Sequence, residues 1–213
     1  MSKGILIIGE SGSGKTTSLR NLPPQESYYI NADKKSLSWK GWRNDWNKEN
    51  KNYKETSNVE EIKALLLGIS EKATQIKYVV IDTLNAIMID DEMQRMTEKG
   101  FDKWQDLAVA IYDIVSFSNT LRDDLFVICT GHAQSERDDS GYVFTRMKTS
   151  GKKLDKIVVE SKFTTVLLTK KVNGRHVYEV HANNSTAKTP LDAFKEDEIE
   201  ADIMKVIEVL KEY

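Results

Sequence analysis

A chain of 213 residues, 39% hydrophobic and 30% charged, is long enough to bury a core and suits one domain carrying at most a modest insertion. Its 31 Lys and Arg against 33 Asp and Glu leave a formal charge of −2, which excludes both a uniformly basic nucleic-acid coat protein and an acidic disordered chain. A single cysteine, Cys129, excludes an internal disulfide framework, and no apolar run approaches the ~18 residues needed to cross a bilayer, so a cytoplasmic protein without membrane attachment is expected.

Ile5 to Ile8 is apolar without polar alternation, the pattern of a strand covered on both faces. A glycine-rich turn follows, then a predicted helix from near Lys15 that Pro23-Pro24 stops. Tyr28-Tyr29-Ile30 reads as a second strand. Residues 34–57 hold Trp39, Trp42 and Trp46 among Lys and Asn with no clean period, and read as an insertion; from Lys34 to Lys54 it has seven basic and two acidic residues. Val59 to Thr74 is helical by its stripe of Ile62, Leu65, Leu66 and Ile69. Tyr78 to Ile81 is a third buried strand ending in Asp82, and Leu84 to Thr97 a helix. A second amphipathic helix then carries Trp104, Ile111, Ile114 and Leu121 on one stripe.

Phe126 to Cys129 is a fourth buried strand, ending at Thr130-Gly131-His132. Beyond it, Ser135 to Ser150 is polar, with a turn at Asp139-Ser140-Gly141 and one short strand candidate, Tyr142 to Thr145. Lys153 to Ser161 is a helix candidate. Phe163 to Leu168 and His176 to Val180 form a predicted hairpin at Asn173-Gly174. A final helix carries Ile199, Ile203, Val206, Ile207 and Leu210, with Asp197 as its cap. Strands alternating with helices before a hairpin predict an α/β fold, a mostly parallel sheet flanked by helices with antiparallel additions at one edge, in a single domain over 1–213.

The chemistry begins at Gly9-Glu10-Ser11-Gly12-Ser13-Gly14-Lys15-Thr16, which fits G-x-x-x-x-G-K-[ST] at every fixed position. Glycines let consecutive backbone N–H groups curl inward around a phosphate. Lys15 then reaches the β- and γ-phosphates, and the Thr16 hydroxyl ligates Mg²⁺. Thr17 completes the predicted nucleotide-binding run. Asp82, at the end of a buried strand, is the second metal-holding group, with capping of the helix that follows as a lesser reading that is compatible with it. Asp33 and Glu10 are both candidates to orient or deprotonate water, with Asp33 preferred because side chains within such a loop point away from phosphate. Asp33 as a plain turn residue is an equal reading. His132 is placed to sense the γ-phosphate, against the alternative of a structural histidine.

In that order, the Gly9–Thr16 loop, the strand before Asp33, Tyr78–Asp82 followed by Thr83-Leu84-Asn85, and the strand ending in His132 resemble the RecA-like ATPase core. More narrowly the chain resembles the phage-encoded RecA-like ATPases, including the Sak-type single-strand annealing group, through Gly151-Lys152-Lys153-Leu154 and Thr186-Ala187-Lys188-Thr189-Pro190. The resemblance implies Mg²⁺-dependent ATP hydrolysis coupled to single-stranded DNA, in a homo-oligomeric ring or filament, with a single-strand-binding protein as a further partner. It also implies that residues 133–151 contact DNA and that Lys152 and Lys153 reach a neighbouring subunit's nucleotide in trans. Two features depart from the pattern: Asp33 stands where a RecA core uses Glu, and the first strand begins at residue 4, so polymerisation through a RecA-type N-terminal segment is not expected. Trp39, Trp42 and Trp46 read either as a small local core or as stacking platforms for bases. Outside the resemblance, a P-loop nucleotide or small-molecule kinase and a non-hydrolysing nucleotide-binding interaction module use the same Lys15, Thr16 and Asp82.

Overall fold

The computed structural model describes all residues except 96–101, 138 and 150–157, and for 102–109 the backbone alone. Its elements in chain order are β1 (Lys3–Gly9), β2 (Ser27–Asn31), α1 (Trp42–Asp45), β3 (Tyr53–Glu55), α2 (Val59–Lys72), β4 (Tyr78–Asp82), α3 (Leu84–Gln94), α4 (Asp102–Ser118), β5 (Phe126–Arg137), β6 (Val143–Met147), β7 (Thr165–Val172), β8 (Arg175–Glu179), β9 (Glu198–Glu200) and α5 (Ile203–Leu210). The sheet order is β3-β2-β4-β5-β1-β7-β8-β9, with β6 pairing β5 off that path. From β3 to β7 every pairing is parallel, and β8 and β9 continue antiparallel.

The period of two in a strand divides the core in two. Leu6 and Ile8 face a layer made by α2, α3 and α4, through Ile62, Leu66, Leu84 and Ile114. Ile5 and Ile7 face the opposite layer, through Leu19, Trp46, Ile203 and Val206. All four β1 side chains are fully buried, which is why this run carries no polar alternation. Asn58 caps α2 by accepting from the Glu61 N–H at 2.9 Å, and Asn173 (φ 49°) with Gly174 (φ 80°) make the left-handed turn between β7 and β8.

Five expectations need correction. The helix after the glycine-rich turn is only a 3-10 turn, Thr17–Leu19, because Pro23-Pro24 leaves too little chain for more. Residues 34–57 are not an appendage: β3 pairs with β2 and closes the sheet edge, while Trp42 and Trp46 pack on Tyr53 and Tyr29 as a local core. The 133–151 segment is largely a hairpin, because β5 runs on to Arg137 and pairs antiparallel with β6. Val159–Lys162 is a 3-10 turn, Val158 before it is not helical, and residues 153–157 of the predicted helix lie outside the described residues. The last helix starts four residues later than its stripe suggests. Glu198–Glu200 pair with β8, Asp202 caps α5 by accepting from the Met204 N–H at 3.0 Å, and Asp197 instead contacts His181 at 3.1 Å.

Candidate nucleotide site

Strand register assembles the site. Gly9 and His132 are direct partners on β1 and β5, as are Asn31 and Asp82 on β2 and β4. The ends of four parallel strands therefore meet at one edge, where α/β sheets bind ligands. Gly9 has no room for a side chain, since a Cβ there would collide with Thr169 and Ser13. Ser13 and Thr169 share a hydrogen bond of 2.7 Å, and the Thr169 hydroxyl lies 3.0 Å from the Ile8 carbonyl. Gly14 sits at φ +109°, and a Cβ there would lie 2.7 Å from the His176 ring. His176 Nδ1 is 2.7 Å from the Ser13 carbonyl and is the donor of that bond. The β7–β8 hairpin thus supports the loop from outside.

Lys15 is buried at 6% exposure, and its ammonium donates to the Gly9 and Glu10 carbonyls at 2.9 Å each. Burial pulls its pKa down from 10.5 to about 8, against the opposing pull of Asp82. Glu10, Ser11 and Gly12 are exposed at the loop's crest, and the Thr17 hydroxyl is 2.9 Å from that of Ser38.

Asp82 is 1% exposed and fully bonded. Its Oδ2 accepts from Thr16 at 3.0 Å and from the Tyr29 hydroxyl at 2.6 Å, and its Oδ1 accepts from Thr130 at 2.5 Å. Helix capping falls instead to Thr83, which accepts from the Ala86 N–H at 3.2 Å. Thr16 donates its hydrogen to Asp82, so its oxygen lone pairs remain for a cation. Among the described residues no group of three or more His, Cys, Asp or Glu could hold a metal. This donor set fits Mg²⁺, which keeps most of its water and takes phosphate oxygens with few protein ligands. Thr16 would hold the ion directly, with Asp82 fixing Thr16.

Asp33 turns back over the same edge. Its N–H donates to the Asp82 carbonyl at 3.1 Å, its Oδ1 accepts from Thr83 at 3.0 Å, and its Oδ2 is paired with Lys35. Asp33, Thr83, Asn85, Asp90 and His132 line a cleft of about 260 Å³. The His132 backbone N–H donates to Asn85 at 2.7 Å, and burial followed by Lys15 lowers the pKa of its half-buried ring, keeping it neutral at pH 7.

The structure brings Lys15, Thr16, Asp82, Asp33 and His132 together. Lys152 and Lys153 lie outside the described residues. Sequence reasoning missed Tyr29, Thr130, Thr169, His176 and Lys35 as parts of the site. Two were within reach of the period-two rule: Tyr29 and Thr130 sit on the Asp82 face of adjacent strands.

The AAA-domain family model (AAA_24) matches residues 1–191. No curated protein matches the chain. Among solved structures, a KaiC-like protein of the hyperthermophilic archaeon Pyrococcus horikoshii OT3 is similar, with 13% identity and a TM-score of 0.48 over 83% of this chain and 76% of that one. With a phosphate-binding loop between β1 and its 3-10 turn, a carboxylate bonded to Thr16, and a family match over nearly its whole length, the chain belongs to the AAA-domain family of P-loop NTPases.

Proposed function

We propose that the protein hydrolyses ATP with Mg²⁺ and couples the cycle to single-stranded DNA in phage-type recombination or strand annealing, as a homo-oligomer. The observation that carries the hydrolytic part is the single constellation of Lys15, Thr16 on Asp82, and Asp33 across a cleft from His132. Lys15 binds and neutralises phosphate, Thr16 holds the ion, and Asp33 accepts a hydrogen bond from the attacking water.

The coupling rests on the hairpin. β5 passes without interruption from Thr130, which bonds Asp82, through His132 into the β5–β6 hairpin. The Lys148 N–H donates to the His132 carbonyl at 2.7 Å, and Asn85 holds both the His132 N–H and, at 2.8 Å, the Lys148 carbonyl. A change at the γ-phosphate position is one hydrogen bond from the hairpin base. On the hairpin Tyr142 and Phe144 stack with centroids 6.4 Å apart, Tyr142 is exposed, and Arg137 and Lys148 supply charge. Aromatic platforms beside cations are what single strands bind. Trp42 and Trp46 are buried, so the hairpin is the better aromatic surface.

A nucleotide-binding module that does not hydrolyse is the second reading, favoured by the Lys35 ion pair on Asp33. Phosphate release from Mg–ATP, measured with and without single-stranded DNA over a salt series, separates them. Turnover that rises on adding DNA, with affinity falling as salt rises, supports the proposal. Absent turnover with intact ATP binding supports the module.

A further inference from the structure

We propose that Lys35 is the group with which this site tells a nucleoside triphosphate from a diphosphate: its ammonium rests on Asp33 and moves onto the γ-phosphate when one is bound. This deepens the ATPase reading above and rests on its placement of the triphosphate in the loop.

The turn after β2 is anchored at both ends. Ala32 and Asp33 both donate their N–H groups to the Asp82 carbonyl, at 2.8 and 3.1 Å, which ties the turn to the strand end that faces the phosphate loop. Asn31, 1% exposed, donates from Nδ2 to the Lys35 carbonyl at 2.7 Å and fixes the far end. Between these anchors Lys34 takes φ +53°. The two consecutive lysines then diverge. Lys34 reaches to Asp90 on α3, at 2.6 Å, along the wall of the cleft, and Lys35 folds back onto Asp33.

Lys35 is thereby a cation on a fixed backbone beside the cleft that holds His132. Its partner Asp33 lines the same cleft as His132, which is the strand partner of Gly9 at the start of the phosphate loop. Lys15, by contrast, donates to the Gly9 and Glu10 carbonyls from within the loop and serves the β- and γ-phosphates alike, so it does not separate a triphosphate from a diphosphate. The Lys35 side chain is half-exposed at 53%, and a flexible four-carbon stem lets its ammonium exchange one anionic partner for another at little cost. A γ-phosphate carries more charge than the Asp33 carboxylate and competes for the same cation. Once Lys35 leaves, Asp33 is free to accept a proton from water, so the exchange links recognition of the third phosphate to unmasking of the base. A diphosphate leaves the pair intact.

The experiment is calorimetric titration of the full chain with Mg–ADP and with the Mg complex of the non-hydrolysable β,γ-imido analogue of ATP. A charge-assisted contact made only to the third phosphate predicts that Lys35→Met weakens the triphosphate analogue by about tenfold or more while ADP changes by less than about twofold. Lys35→Arg keeps the discrimination, and Lys63→Met, which breaks only a surface pair with Glu60 on α2, leaves both affinities as they are. Equal weakening of both nucleotides by Lys35→Met, or no change in either, overturns the assignment while leaving the ATPase reading standing. Failure of the unaltered chain to bind either nucleotide overturns both.

Discussion

Tyr29 on β2 donates its hydroxyl hydrogen to Oδ2 of Asp82 on β4 across 2.6 Å, inside a core from which both side chains are all but excluded from solvent. The same oxygen accepts from Thr16, so a tyrosine of the neighbouring strand and a threonine of the phosphate loop share one carboxylate oxygen. Burial and the adjacent carboxylate push the Tyr29 pKa well above 10, which keeps it a donor at any working pH. Tyr29→Phe removes a hydrogen bond to a charged acceptor and should destabilise the protein by about 1.5–3 kcal/mol in urea denaturation. It should also raise the Mg²⁺ concentration needed for half-maximal turnover, because Thr16 then acts as the sole donor to that oxygen. An unchanged Mg²⁺ requirement would separate Tyr29 from the site.

The lowered pKa of Lys15 makes a pH prediction with a definite sign. In the free protein Lys15 loses its proton as pH rises through about 8, whereas a bound triphosphate stabilises the charged ammonium and raises the pKa. ATP affinity should be flat with respect to this group below pH 8 and fall above it, by up to roughly tenfold per pH unit. Calorimetry at pH 8.5 in buffers of different ionisation enthalpy should record proton uptake on binding. Proton release there would contradict the burial argument.

His176 supports the loop through one bond to the Ser13 carbonyl and contact with Gly14. His176→Ala should raise KM for ATP several-fold while costing about 0.5–1.5 kcal/mol of stability, the scale of one ordinary hydrogen bond. Gly14→Ala should be more severe. Removing the His176 ring in the double variant should not rescue it, since φ +109° remains hostile to a Cβ. Full rescue would show that the clash alone mattered.

The aromatic residues should divide into two classes. Trp46 is 2% exposed and packs edge-on against Tyr29 at 5.4 Å, so Trp46→Ala should cost about 3–5 kcal/mol of stability. Replacing Tyr142 and Phe144 with alanine should instead lower single-stranded DNA affinity by roughly 1–3 kcal/mol per lost base stack, with ATP affinity unchanged. Fluorescence anisotropy with labelled oligonucleotides reads the second effect, and retained affinity in that variant would remove the hairpin from the DNA-binding surface.

The parts of the molecule legible from sequence are those whose chemistry is local. The phosphate loop announces itself because its glycines, Lys15 and Thr16 must be contiguous, and the buried strands because a strand covered on both faces has no polar positions. The tryptophan segment resisted reading because its partners, Tyr29 and Tyr53, belong to sheet register rather than to any period within the segment. The length of β5 was underestimated for a related reason. Residues 134–137 are polar and partly exposed, and they form a strand only because β6 returns to pair with them. His176 was invisible because its contact with Ser13 spans 163 residues. Asp197 and Asp202 are both plausible caps by type, and only the pairing of Glu198–Glu200 with β8 decides between them.

Equilibrium binding of Mg–ATP to the unaltered chain and to Lys15→Ala, by calorimetry at pH 7, tests the nucleotide site most directly. The site geometry requires one nucleotide per chain in the first and none measurable in the second. Saturable binding that survives intact in Lys15→Ala would place the nucleotide elsewhere, and with it the roles given to Thr16, Asp82 and Asp33.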